Sequence, residues 1–252
     1  MLSPTYSLRN VGTFREFPRK PITLEPATRV DTPNGRFYLT PDRSHAYPSV
    51  TTVLGSLPKP ELDAWRAAVG EDEARRVSER ATRFGTRVHS LAEHYVLGTL
   101  DPETTVNDKR TYDAFSALKN ALDSHLELVV GSEVSLYSPK YGIAGTCDLL
   151  CVWDGELAVV DFKTSSGVKH RSMIDGYFTQ ATAYSEMVED LKGFGFDRLA
   201  IVIITLDDTE ATVFTETKTV SAVNRLKEIT DAYHSASNRG SRNYIDRVSG
   251  AV

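Results

Sequence analysis

The segment from Cys147 to Phe162 constrains this chain more than any other. Two apolar runs, CDLLCVW from Cys147 and LAVVDF from Leu157, flank Asp154-Gly155. An Asp-Gly pair between such runs marks a two-residue β-hairpin turn. With Asp154 and Gly155 as the turn, the register sets Asp148 directly across from Asp161, with Cβ atoms roughly 5 Å apart on one face of the sheet. Opposed carboxylates destabilise a sheet unless a cation lies between them. Lys163, two residues beyond Asp161, projects from the same face because side chains alternate along a strand. Two carboxylates and an ammonium therefore converge. Oxygen donors of this kind suit Mg²⁺ or Mn²⁺, and a lysine beside such an ion orients or deprotonates water and stabilises charge on a phosphate. A lone D-x-K is more often a pair of surface charges, so the surrounding sequence decides.

Two helices supply that context. Over Glu71–Leu97, Val77, Ala81, Phe84, Val88, Leu91 and Tyr95 fall on one stripe, the core-facing side. Arg76, Arg80, Arg83 and Arg87 make a second stripe, and His89 and Glu93 share a third face. At 100° per residue, His89 lies roughly 160–200° around the helix from the arginines, so an uninterrupted helix cannot aim both at one site. Gly85 permits close packing or a kink. The arginines form either a solvated face paired with Glu73 and Glu79 or a phosphate-contacting rim. The second helix, about His170–Leu191, carries Met173, Tyr177, Gln180, Tyr184, Met187 and Leu191 on one stripe. A glutamine within such a stripe must find partners or cost a few kcal/mol, so Gln180 either bonds to backbone or faces a site with Tyr184. Thr164 and Ser165, in the polar stretch after Lys163, either touch a phosphate or cap this helix.

Taken together, G-x-x-G-x-x-D (Gly142, Gly145, Asp148), D-F-K (Asp161 to Lys163) and Q-x-x-x-Y (Gln180, Tyr184) resemble the PD-(D/E)xK nuclease superfamily, in particular its RecB-like exonuclease branch. YPSVTTVL (Tyr47 to Leu54) and G-T-x-V-H-x-x-x-E (Gly85 to Glu93) are similar to the mitochondrial genome maintenance exonuclease group and its phage relatives. These motifs run from Tyr47 to Tyr184, over half the chain. The resemblance implies an α/β fold, a mixed central β-sheet flanked by helices in a restriction-endonuclease-like core, with an N-terminal hairpin and a helical gate. It implies that His89, Asp148, Asp161 and the Phe162 backbone carbonyl hold Mg²⁺ or Mn²⁺. Lys163, Gln180 and Tyr184 complete the catalytic set, with Glu93 and Glu133 as possible supporting acids. Arg76, Arg80, Arg83, Arg87, Thr164 and Ser165 become candidate DNA contacts. The implied activity is a metal-dependent DNA exonuclease of replication, repair or recombination, favouring single-stranded DNA because of the gate. Two alternatives stay open: an exonuclease on duplex ends that feeds a single-strand annealing or replication partner, and a catalytically dead DNA-binding subunit.

At 252 residues, 40% of them apolar, the chain can bury a sizeable core. The expected division is an arm over 1–27, one domain over 28–236 with hairpin and gate in 28–70 and the core in 71–236, and a tail over 237–252. The net charge of −5 argues against an extended basic face, although acidic metal ligands count on the negative side. Cys147 and Cys151, ~13 Å apart along one strand, cannot bridge and read as core residues of a reducing compartment. Two cysteines cannot supply the four-cysteine iron–sulfur cluster of some RecB-like relatives. With no apolar run of membrane-spanning length and no signal-peptide pattern, the expectation is a cytoplasmic protein of a bacterial or phage-infected cell, without membrane partners. Asn34-Gly35 marks a hairpin in Thr28–Thr40, Ser49 or Thr51 caps a short helix, and a helical pattern begins at Leu62 and Trp65. A helix over Asp108–Leu126 turns Tyr112, Phe115, Leu118 and Leu122 inward. Strands follow at Val129–Tyr137, which bears Glu133, at Arg198–Thr205 and at Glu210–Thr217, then a helix at Val220–Tyr233. The tail carries Arg239, Arg242 and Arg247, either without fixed contacts or adding non-specific DNA contact.

Overall fold

The structure, a computed structural model, describes residues 5–205 and 210–248. In chain order the elements are β1 (Tyr6–Ser7), β2 (Thr28–Thr32), β3 (Gly35–Leu39), β4 (Ala46–Pro48), α1 (Val50–Gly55), α2 (Pro60–Val69), α3 (Glu71–Val96), β5 (Thr105–Val106), α4 (Lys109–His125), β6 (Leu126–Ser138), β7 (Ile143–Trp153), β8 (Glu156–Ser165), α5 (Asp175–Lys192), β9 (Arg198–Thr205), β10 (Thr212–Thr217) and α6 (Val220–Asn238). β10, β9, β8, β7 and β6 form, in that order, a five-stranded central sheet. It is mixed as expected: β8 and β9 run parallel, joined by α5, and the other neighbours are antiparallel. A second sheet, β2-β3-β4, stands beside it.

Alternation along the central strands places one helix layer on each face. Ala158, Val160, Phe162, Ala200, Val202 and Ile204 pack in one cluster with Val88, Tyr95, Phe115 and Leu118 of α3 and α4. Val159, Leu199, Ile201 and Ile203 pack in another with Phe178, Met187, Leu226 and Val53 of α5, α6 and α1. Each fully buried Val, Leu, Ile, Phe or Met among them contributes about 1.5–3 kcal/mol, and each alanine less. Among the described residues no helix is long and apolar enough to cross a membrane.

The Asp154-Gly155 turn forms with both residues at positive φ, 50° and 82°, and β7 and β8 pair from Trp153↔Glu156 to Leu149↔Val160. Ser49 caps α1 by accepting the Thr52 N–H at 3.0 Å, and Asp108 caps α4 by accepting that of Thr111 at 2.8 Å.

Four expectations are corrected. The first hairpin pairs Thr32 with Gly35, so Pro33-Asn34 is the turn rather than Asn34-Gly35, because Pro33 presets the φ of a first turn position. Met173 lies outside α5, in a 3₁₀ turn, and is 56% exposed. Val77 and Ala81 are exposed as well: the N-terminal half of α3 buries only Ala74, and the core begins at Val88. Finally, the described parts of the arm and tail are packed. β1 pairs with β5, Leu8, Val11 and Phe17 are buried, and Lys20 and Ile22 donate to Val129 and Val130 at the edge of β6. At the other end Tyr244 and Val248 enter the core, Arg242 pairs with Asp231, and Arg247 lies over the Tyr244 ring. Apolar residues at every third position, Leu8, Val11, Phe14 and Phe17, are what hold the first segment down.

Candidate active site

The site lies where the central sheet splits. Beyond Leu149↔Val160 the β7–β8 ladder stops, while β7 stays paired with β6 as far as Ile143 and β8 with β9 as far as Ser165. Asp148 and Asp161 are therefore not a regular opposed pair. Instead Asp148 Oδ2 accepts the Phe162 backbone N–H at 2.7 Å, a side chain taking the place of a ladder bond. α3 lies across the split, with His89 Nδ1 3.6 Å from Asp148 Oδ1 and the His89 ring edge-on to Phe162, centroids 5.9 Å apart. Gly85, one turn earlier, allows this approach: a Cβ there would lie 3.2 Å from Thr164 Oγ1. On the other side Ser132↔Leu149 and Val134↔Cys147 bracket Glu133, whose φ is 49°. Such a conformation costs a non-glycine residue about 1–3 kcal/mol. Ligand atoms of His89, Glu133 and Asp148 all fall within 4.8 Å of one another.

Asp161 is 1% exposed and forms an ion pair with Lys163. Apart from that pair neither of its oxygens has a hydrogen-bond partner among the described residues. Lys163 Nζ also lies 5.3 Å above the Tyr177 ring. Burial pushes the Asp161 carboxyl up to about 6, Asp148 adding to the rise and Lys163 opposing it. Glu133 is exposed on its outer side, but partial desolvation in the cleft and the Asp148 charge raise its carboxyl to about 7. Burial disfavours the charge on Asp148 too, but His89, Lys163 and the Phe162 N–H hold its carboxyl below the usual range. Burial works likewise against charge on His89 and Lys163, and the neighbouring carboxylates keep both above their ordinary values. The cluster thus concentrates carboxylates that only protons or a cation can neutralise. An imidazole and carboxylate oxygens, with the Asp161 oxygens bonded to nothing but Lys163 among the described residues, could hold a divalent cation such as Mg²⁺ or Mn²⁺.

His89, Glu133, Asp148 and Lys163 line a cleft of about 410 Å³, with Asp161 buried behind them. Gln180 donates from Nε2 to the Tyr184 hydroxyl at 3.0 Å, and both line the cleft with Gly145, His89, Glu93, Glu133, Asp148 and Lys163. The amide therefore faces the site and not backbone. Gly145 is a steric requirement: a Cβ there would sit 2.8 Å from the Tyr184 ring. α3 runs uninterrupted through Gly85, and the arginine stripe does not reach the cleft. Arg76 and Arg80 pair with Glu73, Arg83 with Glu79, and Arg87 with Asp108. Thr164 and Ser165 also lie off the cleft lining, and the Ser165 hydroxyl closes its own loop onto Gly167. Sequence reasoning missed the part of the cleft lining formed by Arg29, Arg36 and Tyr38 of β2 and β3. Its signal was the period-two spacing of polar residues in TRVDT and GRFYL.

No protein-family model and no curated protein matches the chain. Among solved structures, the crystal structure of SSO0001 aligns at TM-score 0.39 and 15% identity, covering 81% of this chain and 84% of that one. A protein from Eubacterium rectale named "Putative exonuclease" aligns at TM-score 0.43 and 15% identity, covering 67% of this chain and 69% of its own. At such values the likeness carries no argument about what this chain does, which rests on the residues of the cleft.

Proposed function

We propose that the protein is a Mg²⁺- or Mn²⁺-dependent DNA exonuclease of the PD-(D/E)xK superfamily, in its RecB-like branch, acting on single-stranded DNA during replication, repair or recombination. The observation that carries the reading is the buried Asp161–Lys163 pair beside the His89, Glu133 and Asp148 donor atoms at the split between β7 and β8. His89, Glu133, Asp148 and Asp161 would hold the metal. When bound, such an ion supplies Lewis-acid polarisation of water and neutralises charge on the phosphoryl oxygens. Lys163, held charged by Asp161 and Asp148, reaches the cleft, orients the attacking water and meets the negative charge that develops on the phosphate. The Tyr184 hydroxyl, oriented by Gln180, is placed to donate to a phosphate oxygen. The gate implied by the YPSVTTVL resemblance, whose Ser49 and Thr51 line the cleft, is what favours single-stranded DNA over duplex ends.

The test is cleavage of 5′- and 3′-labelled single-stranded and duplex DNA in Mn²⁺ by the wild type and Lys163→Ala. The expected result is metal-dependent shortening of the single strand by the wild type, lowered at least 100-fold in the variant with DNA binding retained; typical losses for removing one charge-stabilising group are of that order. Absence of cleavage by the wild type on every substrate overturns the enzyme reading.

A further inference from the structure

We infer that Arg29 and Arg36, forked around Asp31 on the β2–β3 hairpin, form a subsite that binds a phosphate of the substrate strand in the cleft that the carboxylates also line. This inference rests on the nuclease reading above. Cross-strand pairing sets Arg29 beside Tyr38 and Asp31 beside Arg36, and alternation puts these four on one face of the hairpin. The intervening Val30, Phe37 and Leu39 are buried in the core. The face is fixed relative to the reacting centre. Tyr38 and Thr146 hydroxyls are hydrogen-bonded at 2.9 Å, and Thr146 is two residues before Asp148 on β7. Arg36 is held through its backbone: its N–H donates to Thr52 Oγ1 at 3.1 Å, and its carbonyl accepts from Ser49 N–H at 2.8 Å. The guanidinium is thus carried on a rigid segment.

The charges are arranged for an anion. Asp31 accepts from Arg29 Nε at 3.0 Å and Arg29 Nη2 at 2.8 Å through one oxygen, and from Arg36 Nε at 3.2 Å through the other. One carboxylate thus organises two guanidiniums and leaves one positive charge in surplus. Each arginine has five donor hydrogens, and Arg29 Nη1 with both Arg36 Nη nitrogens remain for a ligand. The two side chains are 50% and 39% exposed and line the cleft. The α3 arginines, by contrast, pair with acids away from it. A planar fork matches phosphate oxygens bidentately. The same cleft bears Asp148, Glu133 and Glu93 beside His89 and Lys163, a group in which carboxylates outnumber cations unless a metal is bound. The arginine pair is the part of the lining that captures the strand.

The experiment measures Kd of a fluorescein-labelled oligothymidylate in Ca²⁺, across a salt series, for wild type, Arg29→Ala, Arg36→Ala and the double variant, together with KM and kcat in Mn²⁺. Circular dichroism and melting temperature check the fold. Each single substitution is expected to weaken binding about tenfold and to lower the salt slope by about 0.7, the value per phosphate contact on a single strand. The loss should fall on KM more than on kcat. Arg36→Lys should keep the salt slope but recover only part of the affinity. Replacing phosphates one at a time by neutral methylphosphonates should reveal a position where wild type loses affinity and the double variant is indifferent. Should Arg36→Ala misfold, Arg29→Gln at its half-exposed position repeats the comparison. A folded double variant with wild-type Kd, salt slope and KM, beside an active wild type, overturns the subsite alone. A wild type that neither binds nor cleaves DNA overturns the subsite and the nuclease reading together.

Discussion

Glu133 holds a φ of 49° that its own side chain disfavours, and its carboxyl, raised to about 7 by partial desolvation in the cleft and by Asp148, reaches the His89–Asp148 pair. Strain of this kind persists where surrounding structure over-determines it, and a metal would repay it. Mn²⁺ at about 100 times its Kd should stabilise the native state by roughly 2.7 kcal/mol, or about 5–10 °C in melting temperature for a chain of this size. His89→Ala and Glu133→Gln should shrink that shift. Glu133→Gly should abolish it while raising metal-free stability by about 1 kcal/mol, because glycine adopts positive φ freely. Scanning calorimetry with EDTA and with Mn²⁺ reads both effects; an unshifted wild type in millimolar Mn²⁺ would remove these residues as ligands. Gly145→Ala tests the other side of the cleft. Its Cβ would sit 2.8 Å from the Tyr184 ring, so overpacking should cost about 1–3 kcal/mol. In combination with Tyr184→Ala, urea melts should show less than the sum of the two single losses.

Among the elements, α3 separates what sequence periodicity can say from what it cannot. The helix, its three faces and the opposition of His89 to the arginine stripe were legible, because a 3.6-residue repeat depends only on local geometry. Where its core contact begins was not: Val77 and Ala81 carry the right spacing but no neighbouring element covers them. Arg76, Arg80 and Arg83 pair with Glu73 and Glu79 on the solvent side, and exposed pairs contribute little. Alanine at all three should therefore change stability by no more than about 0.5 kcal/mol per site and leave oligonucleotide affinity within about threefold by anisotropy. A tenfold loss would restore the stripe as a DNA contact. The β7–β8 hairpin was equally legible from Asp154-Gly155, and so was its register up to Leu149↔Val160. That the ladder opens just before the aspartates was not, since it depends on α3 and the Asp148–Phe162 bond. The arginine wall was hidden for a related reason. Alternation put Arg29 and Arg36 on one face, but only the Tyr38–Thr146 contact, across more than a hundred residues, shows which site that face looks onto.

At the scale of the molecule, distant segments are tied around β7. Its entry is held by His234 Nε2 at the Tyr141 carbonyl, 2.9 Å away, and by the Arg242 guanidinium at the Lys140 carbonyl. A buried charge cluster on this side centres on Glu186 of α5, 4% exposed. It accepts from the Tyr141 hydroxyl at 2.6 Å and Lys218 Nζ at 2.8 Å, with Lys140 at 3.4 Å. Lys218, just after β10, also meets Glu189 at 2.8 Å, so one cluster joins the sheet edge, the site-bearing helix and the entry to β7. Burial would raise the Glu186 carboxyl, but Lys218 and Tyr141 hold it below its ordinary 4.5. A group whose pKa is depressed on folding adds stability that is fully present above its unfolded value and lost as pH falls through its folded value. This contribution should therefore be constant from pH 7 to about 5 and decline below 4.5. Glu186→Gln removes the charge and leaves Lys218, 9% exposed, without its most buried partner, at a cost of about 3 kcal/mol at pH 7. Urea unfolding of wild type and variant at pH 7, 5 and 3.5 should show a gap that is equal at the first two values and narrower at the third. A gap that stays the same at pH 3.5 would mean that Glu186 acts through packing and hydrogen bonds rather than through its charge.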